Sequence, residues 1–260
     1  MPSFESNKAT LFYEFAGTGR PLVFTHGASW DRRQWDKQVD YFKDRYQVIT
    51  WDVRGHGDST LPEGPVNPED FSKDLIALLD HLEIDKAILC GLSMGGHISL
   101  QTAIRYPERV EGLVLIGTPC TNSFNLYEKL VVPINRFSIK LIPMKTTAKL
   151  LAKTLSKFNP DNAQYILETV SKIPHNNFNR LWHAITGMES KDDLHKVKAP
   201  TLILVGDHDN LTSRQQKYIQ QNIADSELKI IKNAHHSTNL DNPKDVNQAI
   251  AEFLEKILSN

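Results

Sequence analysis

Apolar residues fall along this chain in two alternating rhythms. Short runs at 9–16, 21–26, 46–52, 86–92, 111–117, 200–206 and 227–232, most of them bounded by turn-forming residues, predict strands. Between them, residues 31–44, 68–82, 94–106, 212–223 and 243–258 repeat apolar side chains three and four apart, the period of an amphipathic helix. Leu202-Ile203-Leu204-Val205 is apolar at every position, as a parallel strand covered on both faces must be. The alternation predicts an α/β fold with a mostly parallel central sheet flanked by helices, and makes 9–16 an antiparallel edge strand.

The alternation stops at 119–191, which reads as helical and irregular. The chain is therefore divided into a core formed by 1–118 and 192–260 and an insertion at 119–191. Ser123 to Lys140 carries Phe124, Leu126, Leu130, Val131, Ile134, Phe137 and Ile139, more apolar surface than one buried stripe requires. Pro133 and Pro143 are expected to break this stretch into pieces. Lys145, Lys149, Lys153 and Lys157 follow at four-residue spacing and read as a solvated basic face. Docking on a membrane or attraction of acidic substrates is the sharper alternative for that face.

Gly91-Leu92-Ser93-Met94-Gly95 lies between a predicted strand and a predicted helix, the context of a nucleophile elbow. So sharp a turn strains the serine backbone, and small residues two positions to either side let strand and helix approach. A serine hydroxyl also needs a base and a carboxylate to orient it. Asp207-His208-Asp209 follows the 200–206 strand, and Ala234-His235-His236-Ser237 follows the 227–232 strand. Serine, aspartate and histidine thus come in that order at the carboxyl ends of strands, the edge where open α/β sheets bind ligands.

These motifs resemble those of the α/β-hydrolase fold superfamily over nearly the whole chain. Leu22 to Ala28 is similar to the strand and His-Gly loop that supply an oxyanion-hole amide, and Asp52-Val53-Arg54-Gly55-His56-Gly57-Asp58-Ser59 to the D-x-R-G-x-G-x-S loop. The resemblance implies Ser93 as nucleophile, His236 as base and Asp209 as its orienting acid, with the backbone N–H groups of Ala28 and Met94 holding the oxyanion. Asp209 stands three residues after Gly206 and His236 seven before Pro243, as in the superfamily; Asp207 and His235 are the rival assignments. His235 replaces the glycine usual in relatives. The insertion occupies the place of a helical cap, or lid, and its large apolar residues, Phe124, Phe137 and Trp182 among them, are candidate substrate contacts.

The implied activity is cleavage of a small carboxylic ester or lactone through an acyl-enzyme. A carbon–carbon bond hydrolase with the same three residues, and a non-enzymatic ligand-binding receptor on the same fold, are the alternatives. Aspartate-nucleophile dehalogenase and epoxide chemistry is disfavoured because residue 93 is serine. No cofactor is implied: the histidines show no H-x-x-x-H spacing, C-x-x-C is absent, and Gly55-His56-Gly57-Asp58 lacks the ending of a P-loop. Thirty basic and 31 acidic residues give a net charge of −1, so neither nucleic acid nor a membrane is an expected partner. Residues 1–8 contain no apolar h-region and no run of eighteen apolar residues occurs, which predicts a soluble, cytoplasmic protein. Cys90 and Cys120 are expected to be free thiols.

Overall fold

The apolar runs of the sequence line up in one twisted sheet. In the computed structural model, which describes residues 2–259, the strands are β1 (Ser3–Ser6), β2 (Ala9–Ala16), β3 (Arg20–Thr25), β4 (Tyr46–Trp51), β5 (Ala87–Leu92), β6 (Val110–Ile116), β7 (Thr201–Gly206) and β8 (Ser226–Ile231). Their order across the sheet is β1-β2-β4-β3-β5-β6-β7-β8, with β2 antiparallel to both its neighbours, β1 and β4, and every other pairing parallel. The edge expected at 9–16 is thus taken by β1 instead, and β2 pairs on both sides. Four residues are too few to display a period, but β1 is pinned by its ladder and by Ser6 Oγ, which donates to the buried Asp74 at 2.6 Å.

Helices cover both faces. The segment expected as one helix at 31–44 begins as a 3-10 turn, Arg32–Trp35, and continues as α1 (Asp36–Phe42). Next come α2 (Pro68–His81) and α3 (Met94–Arg105). Asn67 and Asp70 close a capping box around the first turn of α2, and Pro68 sits at the position where a missing N–H costs nothing. On one face Val23, Leu89, Leu113 and Ile203 pack against Leu75 of α2 and Ile98 of α3. On the other, Phe24, Ile88, Val114 and Leu204 meet Phe42 of α1 and the C-terminal helix. Consecutive strand residues therefore bury on opposite sides, which accounts for unbroken apolar runs such as Leu113 to Ile116.

Between β6 and β7 the chain makes α4 (Leu126–Ile139), α5 (Met144–Leu155), α6 (Asn162–Lys172) and α7 (His175–Thr186). The ends of this stretch clasp: Thr121 bridges Glu189, and Ser190 N–H donates to Cys120 C=O at 2.9 Å. Pro133 does not break α4, contrary to the sequence expectation. It lies inside the helix, where Pro133 itself and Lys129, the residue whose carbonyl it cannot pair, are both exposed. Pro143 does act as a break and precedes α5. The chain ends with α8 (Ser213–Asn222), α9 (Thr238–Asp241) and α10 (Pro243–Leu258). Among the described residues, no helix is long and apolar enough to cross a membrane.

Candidate active site

The turn from β5 into α3 puts Ser93 at φ 54°, ψ −113°, a conformation that side-chain-bearing residues rarely adopt. It is held by the Ser93 N–H, which donates to Ile116 C=O, and by its carbonyl, which accepts from His97 N–H, both at 2.9 Å. Close approach explains the flanking glycines. A Cβ on Gly91 would lie 2.3 Å from the backbone of Gly95, and one on Gly95 would lie 2.0 Å from the Thr25 carbonyl oxygen. Gly95→Ala is expected to destabilise the fold by about 3 kcal/mol, because backbone rather than a rotatable side chain stands in the way. A urea unfolding midpoint equal to that of the parent would contradict this.

Ser93, His236 and Asp209 come together although 143 and 27 residues separate them from one another along the chain. Ser93 Oγ lies 2.9 Å from His236 Nε2, and His236 Nδ1 lies 3.0 Å from Asp209 Oδ2. A carboxylate can only accept, so Nδ1 carries the proton and Nε2 is left to accept from the serine hydroxyl. Asp209 is 2% exposed, and burial alone would raise its carboxyl. The hydrogen bond and charge of His236, with donation from Thr212, overcome that and hold it down to about 2. Its Oδ1 accepts from Leu211 N–H at 2.8 Å and Thr212 N–H at 3.1 Å, and Oδ2 takes the Thr212 hydroxyl at 2.7 Å.

The rivals lie elsewhere. Asp207 accepts from Ala234 N–H at 3.2 Å, tying the two loops together. His235 turns to Phe158 and His208, with ring centroids 4.5 and 5.7 Å away. Cys90 and Cys120 are both free and buried, and burial drives both thiols upward, Cys120 to about 12.

Near Ser93, the Gly27–Ala28 peptide has a fixed direction. Gly27 C=O accepts from His26 Nδ1 at 2.8 Å and Trp30 N–H at 3.3 Å. Because a trans peptide is planar, the Ala28 N–H points the opposite way. His26 Nε2 accepts from Val53 N–H at 3.0 Å, so the imidazole is neutral with its proton on Nδ1. Burial lowers its pKa to about 4, which keeps that state through the neutral range. Met94 N–H belongs to the first turn of α3, where no carbonyl within the helix can receive it.

Sequence reasoning missed a buried amide chain. Gln34 Oε1 accepts from Gly27 N–H at 2.8 Å, and its Nε2 donates to Asn239 Oδ1 at 3.0 Å. Asn239 lies in α9, just after His236, and donates on to Gln34 C=O and Gln38 Oε1. The loop at Ala28 and the loop at His236 are thereby tied together across 205 residues of chain. Thr212 was also missed; its only signal was its place three residues after Asp209. Asp52 and Arg54 of the D-x-R-G-x-G-x-S loop face Arg32 at 2.5 Å and Asp74 at 2.5 Å respectively.

Of the three candidate substrate contacts, Phe137 and Trp182 line one cavity between α4 and α7, and Phe124 lies apart from them. Phe124 packs edge-on to Tyr218, with Lys191 Nζ 5.0 Å over its ring. Trp182 stacks on Phe178 and donates from Nε1 to Asn135 Oδ1 at 2.8 Å. Phe137 is 65% exposed on the outward face of α4, because the inward face is taken by Asn135 and Arg136 bonding to α7.

An eight-stranded, mostly parallel sheet with a strained serine turn at the carboxyl end of a central strand defines an α/β hydrolase. The family model described as "Serine aminopeptidase, S33" matches residues 19–243, and the chain belongs to this family of the α/β-hydrolase superfamily. It is 25% identical over 251 residues to "3-oxoadipate enol-lactonase 2" of Acinetobacter baylyi, covering 95% of this chain and 94% of that one. A thermophilic esterase from Thermogutta terrifontis superposes with a TM-score of 0.87 at 28% identity, over 96% of this chain and 94% of the esterase. The enol-lactonase of Burkholderia xenovorans shares the fold, with a TM-score of 0.90 at 24% identity over 98% of this chain and all of that one.

Proposed function

We propose that this protein is a cofactor-free serine hydrolase of small carboxylic esters or lactones, acting through an acyl-enzyme on Ser93. The observation that carries the reading is the pair of contacts from Ser93 to His236 and from His236 to Asp209, at 2.9 and 3.0 Å. Ser93 Oγ attacks the acyl carbon as His236 Nε2 takes its proton, and Asp209 stabilises the imidazolium. The Met94 and Ala28 amides receive the oxyanion. Collapse of the tetrahedral intermediate breaks the acyl C–O bond as His236 gives its proton to the leaving alkoxide; water then attacks the acyl-enzyme while His236 Nε2 takes its proton, and that proton returns to Ser93 Oγ as the acid leaves. In a lactone the leaving alkoxide stays tethered to the acyl group, but the proton transfers are the same.

The family description includes aminopeptidases, but an aminopeptidase must hold a free ammonium. The acids of the insertion are poorly placed for that. Glu128 accepts from Phe124 N–H at the start of α4, Glu189 is bonded to Thr121, Glu168 faces Arg33, and Asp161 is exposed. An uncharged acyl substrate fits this environment better. The proposed cap, residues 119–191, is hooked to both loops of the site. Tyr165 Oη donates to Asp31 C=O at 3.1 Å, and Leu155 C=O accepts from Ser237 Oγ at 3.1 Å.

Initial rates on p-nitrophenyl esters from acetate to octanoate, with a small lactone alongside, test the reading. Saturable turnover without added metal or nucleotide is expected, with a chain-length optimum that sizes the pocket. No turnover on any of these compounds would overturn it.

A further inference from the structure

Six large apolar side chains of α4 and its following turn face solvent: Leu126, Tyr127, Leu130, Ile134, Phe137 and Leu141, each between 62% and 73% exposed. At about 100° per residue they fall within roughly one third of the helix circumference, so they form a single row. Other exposed large apolar residues lie elsewhere, such as Phe15 in β2, Ile230 in β8 and Leu211 in the loop before α8. The opposite face of α4 is docked on α7, where Trp182 donates to Asn135 and Arg136 donates to Thr186. The helix is thus held in place with its more apolar side outward, the reverse of an ordinary surface helix.

Charge accompanies this row. Residues 126–157 contain seven basic side chains and one acid, Glu128, which is engaged at the start of α4. The segment carries +6 in a chain whose net charge is −1. Overall neutrality therefore conceals a strong polarisation. Lys129 and Lys140 border the apolar row at helical spacing, and Lys145, Lys149, Lys153 and Lys157 continue along α5 and just past it; all six are exposed. Leu150 of α5 is 58% exposed among them.

We infer that α4 and α5 dock the protein on an anionic lipid surface, the apolar row entering the acyl boundary and the lysines meeting the headgroups. An exposed apolar helix face bordered by lysines is the arrangement of an interfacial amphipathic helix. A second copy of the chain fits poorly, because a two-fold contact through this face would set one lysine cluster against its equivalent. The inference is independent of the reaction at Ser93 and is read without substrate.

The test is co-sedimentation of the full chain with phosphatidylcholine vesicles, with and without phosphatidylglycerol. Strong partition onto the anionic vesicles, weak partition onto neutral ones and release by high salt are expected. Lys145→Gln with Lys149→Gln should weaken binding about fivefold per lysine. Leu130→Glu with Ile134→Glu should abolish it while the circular dichroism spectrum is unchanged, since both side chains are exposed. No partition onto anionic vesicles, or equal partition onto neutral ones, overturns the inference. So does concentration-dependent self-association in sedimentation equilibrium that the Leu130→Glu/Ile134→Glu variant loses, because the row would then be an interface between copies.

Discussion

Ser93→Ala is expected to lower kcat on a p-nitrophenyl ester by about 10⁶-fold, the scale on which loss of a serine nucleophile removes the whole covalent route. What remains is any acceleration by the oxyanion amides and by binding, which act on a water attack without an acyl-enzyme. The variant should fold as the parent does. Alanine meets the same backbone strain at φ 54°, and the side-chain bond it loses is the one to His236. Measuring kcat together with the urea midpoint separates the two effects. Undiminished turnover in a preparation free of wild-type enzyme would remove Ser93 from the chemistry. Lost turnover with a lost unfolding transition would mean that the serine had been holding the elbow together.

Much of the fold was legible because its signals are local. Strands buried on both faces read as unbroken apolar runs, and G-x-S-x-G lies between one such run and an amphipathic period. The two loops that carry Asp209 and His236 were placed by the same logic, each directly after a strand. The features that escaped are tertiary. Nothing near Gln34 in sequence announces Asn239, and β1 exists because β2 offers it a ladder and Asp74 accepts from Ser6. The orientation of α4 was ambiguous for a related reason. Its composition showed surplus apolar residues, but which side meets α7 is set by the Trp182–Asn135 and Arg136–Thr186 contacts, and these turn Phe137 outward.

Asp209→Asn is expected to lower kcat by about 10⁴-fold through the tautomer of His236 rather than through any loss of position. The orientation of the new amide is dictated by its neighbours. Leu211 and Thr212 N–H groups both donate to the Oδ1 position, so the asparagine oxygen must stay there and its NH₂ must take the Oδ2 position opposite His236 Nδ1. A donor facing Nδ1 favours the imidazole with its proton on Nε2, and that nitrogen then cannot accept from Ser93. Stability should change with pH in a defined direction. The native carboxyl is held down to about 2, against an ordinary value of about 3.9 in an unfolded chain. Its contribution is present above about pH 4 and is lost as pH falls through about 2. The parent's stability advantage over Asp209→Asn, read from urea unfolding at several pH values, should therefore shrink between about pH 4 and 2. An unchanged kcat would move the orienting acid to another residue. A stability difference that stays constant through that window would mean that the buried carboxylate owes its place to packing, not to its charge beside His236.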